Sequence, residues 1–258
     1  MDYNYHTHTY LCRHAFGTVE EYVARAVENG IKHMGFSEHA PLRFPDGYES
    51  EARLYVDNIG EYFDTIRKAA EKYRDKIDII IGFEMEYYSD LFDEMLEKVI
   101  GYGAEYLILG QHYFIPENLK ESIHTSVKSD SEERLSAYVD SLIEAMDRGI
   151  YTYIAHPDVF RFTGSDEIYE RHMRRLCKAS AQKGTPLEMN FYGIRDHRNY
   201  PDLRFWKMAG EEQSPMTFGF DAHTVESAYD GESLTVAKEL VEKYSLNYIG
   251  KPQIIKLK

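Results

Sequence analysis

Two periodicities alternate along this chain. Short runs dense in apolar, β-branched and aromatic residues occur at 2–8 (DYNYHTH), 32–39 (KHMGFSEH), 76–86 (KIDIIIGFEME), 104–112 (AEYLILGQH), 151–157 (YTYIAHP), 186–191 (PLEMNF) and 216–223 (MTFGFDAH), with a shorter one at 246–251 (LNYIGK). These read as strands. Between them the apolar positions recur at helical spacing. In TVEEYVARAVENG, Val19, Tyr22, Val23, Ala26 and Val27 share one face, Thr18 and Glu21 form a capping-box pattern, and Gly30 terminates the helix. Residues 55–73 repeat the theme with Tyr55, Ile59, Tyr62, Phe63, Ile66 and Tyr73, and residues 135–146 repeat it with Leu135, Tyr138, Val139, Leu142, Ile143 and Met146, after a Ser129–Glu132 capping pattern.

Strands that alternate with helices, several of them almost continuously apolar, predict a parallel sheet covered on its outer side. About seven such units fit a (β/α) barrel better than an open doubly wound sheet, and with no linker, repeat or low-complexity tract the expectation is one α/β barrel domain over residues 1–258. Two stretches, 39–51 and 113–132, read as long loops, the usual source of lids and substrate-contacting walls.

Composition narrows the function classes. The chain carries 44 acidic and 30 basic residues, a net charge of −14, which argues against a phosphate-backbone surface for nucleic acid. No apolar run is long enough to cross a bilayer and the N-terminus lacks a signal-peptide pattern, so a cytoplasmic location is expected. Cys12 and Cys177 are too few and too far apart for a disulfide framework and read as reduced thiols. An acidic protein that handles an anion needs local positive charge, which metal ions provide.

The predicted strand ends carry that suggestion further. His6 and His8 stand at i and i+2, so on an extended segment both imidazoles aim at one point. Strand two ends in His39, strand three in Glu84 with Glu86 beyond it, strand four in His112, strand five in His156, and strand seven in Asp221 and His223. All but Glu86 converge on the barrel face where such folds place their sites. A lone histidine at a strand end is ordinarily a hydrogen-bonded core or surface residue. Here six of the eleven histidines finish predicted strands, whereas chance would scatter them over helices and loops. His33, His124 and His172 lack that placement and read as ordinary histidines. Imidazole and carboxylate donors without thiolate suit Zn, Mn or Fe, and the donors are too numerous for one ion, so two or three divalent ions are implied.

The motifs HTHT, SEHA, GFEME, GQHY, AHPD and DAH, in that order, closely resemble the polymerase and histidinol phosphatase (PHP) superfamily over essentially the whole chain. HTHTYLCRHA, FSEHAPL and NFYGIRDHRNYP are similar to its monofunctional histidinol-phosphatase branch. The resemblance implies a distorted (β/α)7 barrel with a trinuclear site. His6 and His8, with Glu84 and Asp221, would hold a first ion; Glu84 would bridge to a second held by His112 and His156; His14, which spacing does not reveal, would join His39 and His223 around a third.

That resemblance further implies hydrolysis of L-histidinol phosphate in histidine biosynthesis, with a metal-bridging hydroxide as nucleophile. The catalytic candidates are Glu84, as the bridging carboxylate, and Asp221, a proton relay beside the nucleophile; the leaving oxygen would be met by Asp221 or by the third ion. Arg161 after strand five and Arg195 after strand six are candidate phosphate forks, with Arg195 favoured by its loop. His197 is a weaker substrate-binding candidate. Glu86 and Asp158 read as groups that support ligands or cap a helix. The expected partner is a small phosphate ester, with no nucleic acid and no membrane, for a monomer or homo-oligomer alike. Rival readings are a PHP phosphoesterase for nucleotides, phosphotyrosine or nucleic-acid ends, a noncatalytic metal-binding barrel, and a metal-dependent amidohydrolase.

Overall fold

The apolar runs become the strands of one parallel sheet. The structure, a computed structural model describing residues 1–258, runs β1 (Tyr3–Asn4), α1 (Val19–Glu28), β2 (His33–His39), α2 (Ile59–Tyr73), β3 (Asp78–Glu84), α3 (Phe92–Tyr102), β4 (Tyr106–Leu109), α4 (Glu132–Asp147), β5 (Tyr151–Ile154), α5 (Asp166–Lys183), β6 (Leu187–Asn190), α6 (Phe191–Arg195), α7 (Leu203–Glu211), β7 (Pro215–Gly219), α8 (Gly231–Tyr244) and β8 (Asn247–Tyr248). Each strand pairs in parallel with the next in sequence order, so the sheet curls steadily in one direction. No helix is long and apolar enough to cross a membrane.

The sheet curls into a distorted barrel whose two ends meet only at the C-terminal rim. There Thr7 bridges Ala222, with His8 N donating to Ala222 O (3.0 Å) and Ala222 N to His6 O (3.2 Å). At the opposite end the short β8 lies beside β7, and Tyr3 Oη meets Thr217 Oγ1 (2.9 Å) and Tyr248 Oη (3.1 Å) instead of a ladder. The strands are shorter than the sequence pattern predicts. β1 stops at Asn4 because the Asn4 side chain takes over the backbone: its Oδ1 accepts from His6 N (3.1 Å) and its Nδ2 donates to Thr7 Oγ1 (2.7 Å). The segment that carries His6 and His8 has therefore left the regular ladder, and its course is set by local hydrogen bonds.

The helices follow their apolar stripes. α1 buries Val19, Tyr22, Val23 and Ala26, and both halves of the Thr18–Glu21 capping box are made. α2 starts at Ile59 after a short 3₁₀ turn (Val56–Asn58), later than the Tyr55 start expected. The cap of α4 is Ser131, whose hydroxyl accepts from Arg134 N; the expected Ser129 instead accepts from Ser131 N and buttresses the cap from two residues before it.

Inside the curl, below the rim, Tyr3, Tyr5, Tyr106, Ile108, Tyr153 and Ala155 form a separate packed floor. Tyr106 lies across β2 and β3 and donates to Tyr5 O (2.9 Å). It fits because Gly35 and Gly82 have no side chain: a Cβ on Gly35 would stand 2.2 Å from Tyr106 Oη, and one on Gly82 would stand 2.3 Å from Tyr106 O. Since backbone cannot yield cheaply at Gly82, Gly82→Ala is expected to lower unfolding stability by about 1–3 kcal/mol through overpacking, measured by urea unfolding. An unchanged midpoint would show that the floor is not close-packed.

Candidate metal centre

Strands β1 to β5 and β7 deliver donors to one rim. His6 and His8 lie on the extended segment beyond β1, His39 and Glu84 end the paired strands β2 and β3 in register with each other, and His112, His156, Asp221 and His223 follow β4, β5 and β7. His14 follows the 3₁₀ turn Tyr10–Cys12, its Nδ1 donating to Cys12 O (2.8 Å). The rings crowd together: centroids are 4.1 Å apart for His8 and His223, 4.5 Å for His8 and His39, 4.8 Å for His14 and His223, and 4.9 Å for His112 and His156. All nine expected donors thus face one place. A cavity of about 430 Å³ opens above them, and His6 and His8 lie fully buried at its base.

The donors at the centre lack partners. Nε2 of His6, His8 and His223, Oε2 of Glu84 and Oδ1 of Asp221 are buried and make no hydrogen bond. Four of them form a regular set: His6 Nε2 is 3.4 Å from Glu84 Oε2 and 3.5 Å from Asp221 Oδ1, while His8 Nε2 is 3.4 Å and 3.3 Å from the same atoms. Donors about 2.0–2.1 Å from an ion at tetrahedral angles stand about 3.4 Å from one another. The spacing is therefore that of a coordination polyhedron. Glu84 faces two ways, with Oε2 also 3.2 Å from His39 Nδ1, and Oε1 2.8 Å from His156 Nε2 and 3.6 Å from His112 Nε2. A carboxylate so placed can bridge two ions.

Behind the donors stands a layer of carboxylates. His6 Nδ1 donates to Glu188 Oε1 (2.8 Å), His8 Nδ1 to Glu38 Oε1 (3.1 Å) and His112 Nδ1 to Glu86 Oε1 (3.1 Å). Each bond puts the proton on Nδ1 and points the Nε2 lone pair into the centre, the arrangement that orients and strengthens metal-binding imidazoles. β6, which supplies no direct donor, supplies Glu188 and also Asn190, whose Nδ2 donates to Asp221 Oδ2 (3.0 Å). Glu86 is in turn gripped by the buried Arg53 (Nη1 to Oε2, 2.6 Å), which also binds Glu117, so both long loops are tied to the His112 corner.

Charge states follow from burial against these neighbours. Burial alone would raise Glu84 and Asp221, but the surrounding imidazoles outweigh it and hold both well below the usual carboxylate range. Burial lowers His14, His39 and His223, leaving them neutral donors near pH 7. His6 and His8 lie well above the ordinary imidazole value: burial pushes them down, and the facing carboxylates push them further up. Binding of an ion at these nitrogens therefore displaces protons.

The remaining candidates divide. Arg161 and His197 line the cavity, as do Arg198, Tyr192 and His124. Arg195, favoured over Arg161 from its loop position, is not among the lining residues: its Nη1 pairs with Asp230 (2.9 Å) and its Nη2 donates to Asp221 O (3.3 Å). The short α6 turns the chain so that Arg198, lying 3.8 Å over the Tyr192 ring, is the one on the wall. Asp158 pins the start of α7, accepting from Asp202 N (2.7 Å) and Trp206 Nε1 (3.0 Å), and burial pushes it up to about 7. Sequence reasoning missed Glu38, Glu188, Arg53, Arg198 and His124. Glycines face two of the carboxylates, the missed Glu188 and the expected Glu84: a Cβ on Gly219 would lie 1.7 Å from Glu188 Oε1, and one on Gly110 would lie 1.8 Å from Glu84 Oε1. Gly110→Ala is therefore expected to displace the bridging carboxylate and lower bound metal per chain, measured by elemental analysis, while the circular dichroism spectrum stays native. Full metal content in that variant would remove Glu84 from the bridging position.

Comparison with known proteins agrees with this geometry. Residues 4–191 match the PHP domain family. A probable histidinol-phosphatase of Deinococcus radiodurans is 28% identical over 229 residues, covering 84% of this chain and 85% of that one. The histidinol-phosphatase of Bacillus subtilis is 25% identical over 253 residues, covering 84% and 92%. The crystal structure of histidinol phosphate phosphatase from Lactococcus lactis, complexed with zinc, L-histidinol and phosphate, superposes with a TM-score of 0.71 at 20% identity, over 96% of this chain and 95% of that one. The fold is the same, and the ordered donors of the rim fall largely within the matched region. This chain belongs to the PHP domain family.

Proposed function

We propose that this protein hydrolyses the phosphate monoester of L-histidinol, releasing histidinol and phosphate, as a cytoplasmic step of histidine biosynthesis. The single observation that carries the reading is the set of unpartnered Nε2 and carboxylate atoms spaced as a coordination polyhedron beneath a cavity of substrate size. His6, His8, Glu84 and Asp221 would hold one divalent ion, Glu84 with His112 and His156 a second, and His14, His39 and His223 a third, drawn from Zn, Mn or Fe. Such ions supply neutralisation of the phosphate charge and a water acidic enough to act near neutral pH.

The chain's own residues do the rest. Arg161 has no carboxylate within ion-pair distance, and Arg198 has only Asp196 at 3.7 Å, so both guanidinium groups are free to fork onto phosphoryl oxygens. They answer the puzzle of an anion bound by an acidic protein: two arginines without close ion-pair partners line the cavity. Asp221, ionised and beside the reacting position, is placed to hold a proton in transit. The cavity is also lined by Glu86, Glu117, Tyr113 and Tyr192, carboxylates and aromatic faces that suit a leaving group carrying an ammonium and an imidazole.

The test is phosphate release by the metal-replete protein across a panel of esters: histidinol phosphate, phosphotyrosine, nucleotides and p-nitrophenyl phosphate. Histidinol phosphate is expected to have the highest kcat/KM, and Arg198→Ala to lower that value about tenfold or more, the worth of one charged hydrogen bond. A nucleotide or phosphotyrosine that equals histidinol phosphate would assign the centre to another ester.

A further inference from the structure

One imidazole on the cavity wall is held differently from the nine donors. His124, in the loop between β4 and α4, has its Nδ1 occupied by Ser126: the Ser126 backbone N–H donates to it (3.0 Å), with the Ser126 hydroxyl at 2.7 Å. A backbone amide can only donate. Nδ1 must therefore carry a lone pair, and the neutral ring must carry its proton on Nε2. Whereas His6, His8 and His112 are backed by carboxylates that leave Nε2 free to bind a cation, His124 is backed by donors that leave Nε2–H free to bind an anion. The same side chain has been wired for the opposite task.

Its position fits that task. Thr125 is fully buried, donates from N to His112 O (2.9 Å), and accepts at O from Arg161 N (2.9 Å). The segment 124–126 is thus stitched between a donor of the metal centre and a cavity arginine. The His124 ring lies 5.7 Å from the His112 ring, centroid to centroid, and meets the Tyr113 ring edge-on at 5.1 Å, which limits its rotation. Arg161, Arg198 and His124 all line the cavity.

We propose that His124 contacts the substrate, its Nε2–H donating to a nonbridging oxygen of the bound phosphoryl group alongside Arg161. The inference rests on the reading of the cavity as a phosphate-ester site. It assigns His124 a fixed hydrogen-bond donor's role, neither ligand nor acid.

The experiment compares wild type, His124→Phe and His124→Gln, each metal-loaded, by calorimetric binding of inorganic phosphate, elemental analysis and steady-state kinetics. Glutamine can place an amide N–H near the position of Nε2, and phenylalanine cannot. The expected result is phosphate affinity and kcat/KM both reduced about tenfold or more in His124→Phe, substantial recovery in His124→Gln, and metal content equal in all three. Unchanged phosphate affinity in His124→Phe would overturn the proposal, as would a fall in kcat with phosphate affinity intact, or a loss of metal in both variants. Since inorganic phosphate is the probe, failure of wild type to use histidinol phosphate would strike the assigned ester and leave this comparison standing.

Discussion

Everything at the rim depends on how buried negative charge is balanced. Glu38, Glu84, Glu86, Glu188 and Asp221 are all buried around one centre, and Arg53 is the one buried guanidinium available to them. An uncompensated buried carboxylate costs several kcal/mol, so cations must enter, as protons on imidazole or as metal ions. The arrangement favours metal because of its layering. An outer ring of carboxylates holds the Nδ1 protons of His6, His8 and His112, and Nε2 of His6 and His8, Glu84 Oε2 and Asp221 Oδ1 are left without hydrogen-bond partners at the spacing of shared coordination.

The barrel makes that layering cheap to build. Parallel strands deliver their ends to one rim, and the register of β2 on β3 sets His39 beside Glu84 without further adjustment. The tyrosine floor below closes the interior and keeps water from the base of the site. Two glycines open the spaces that Glu84 and Glu188 occupy, so the carboxylates reach the centre from the strands themselves. The Arg53 pairs with Glu86 and Glu117 extend this rigidity outward, holding the two long loops against the His112 corner where they wall the cavity.

How much of this the sequence discloses depends on the kind of signal. Strand and helix order, the barrel class and eight of the nine inner donors follow from apolar runs that end in histidine or a carboxylate, because a strand end must aim somewhere. His14 lies beyond a 3₁₀ turn, where no periodicity points, and only the family resemblance supplies it. The backing carboxylates are invisible to pattern: Glu38 and Glu188 sit within strands, where an acidic residue reads as a polar gap until its partner across the barrel is known. Arg195 and Arg198 lie three residues apart, and only the geometry of α6 decides that Arg198 faces the cavity while Arg195 pairs with Asp230. His124 carries no signal at all, since its role depends on a backbone amide two residues on.

The central claim is that the inner donors are a polynuclear metal cage. Anomalous X-ray diffraction from crystals of the metal-loaded protein, recorded at the absorption edges of zinc and manganese, tests it most directly. Two or three anomalous peaks are expected among the nine donors, with one on each side of the Glu84 carboxylate. Maps with no peak between those side chains, or with a single ion bound elsewhere, would contradict it.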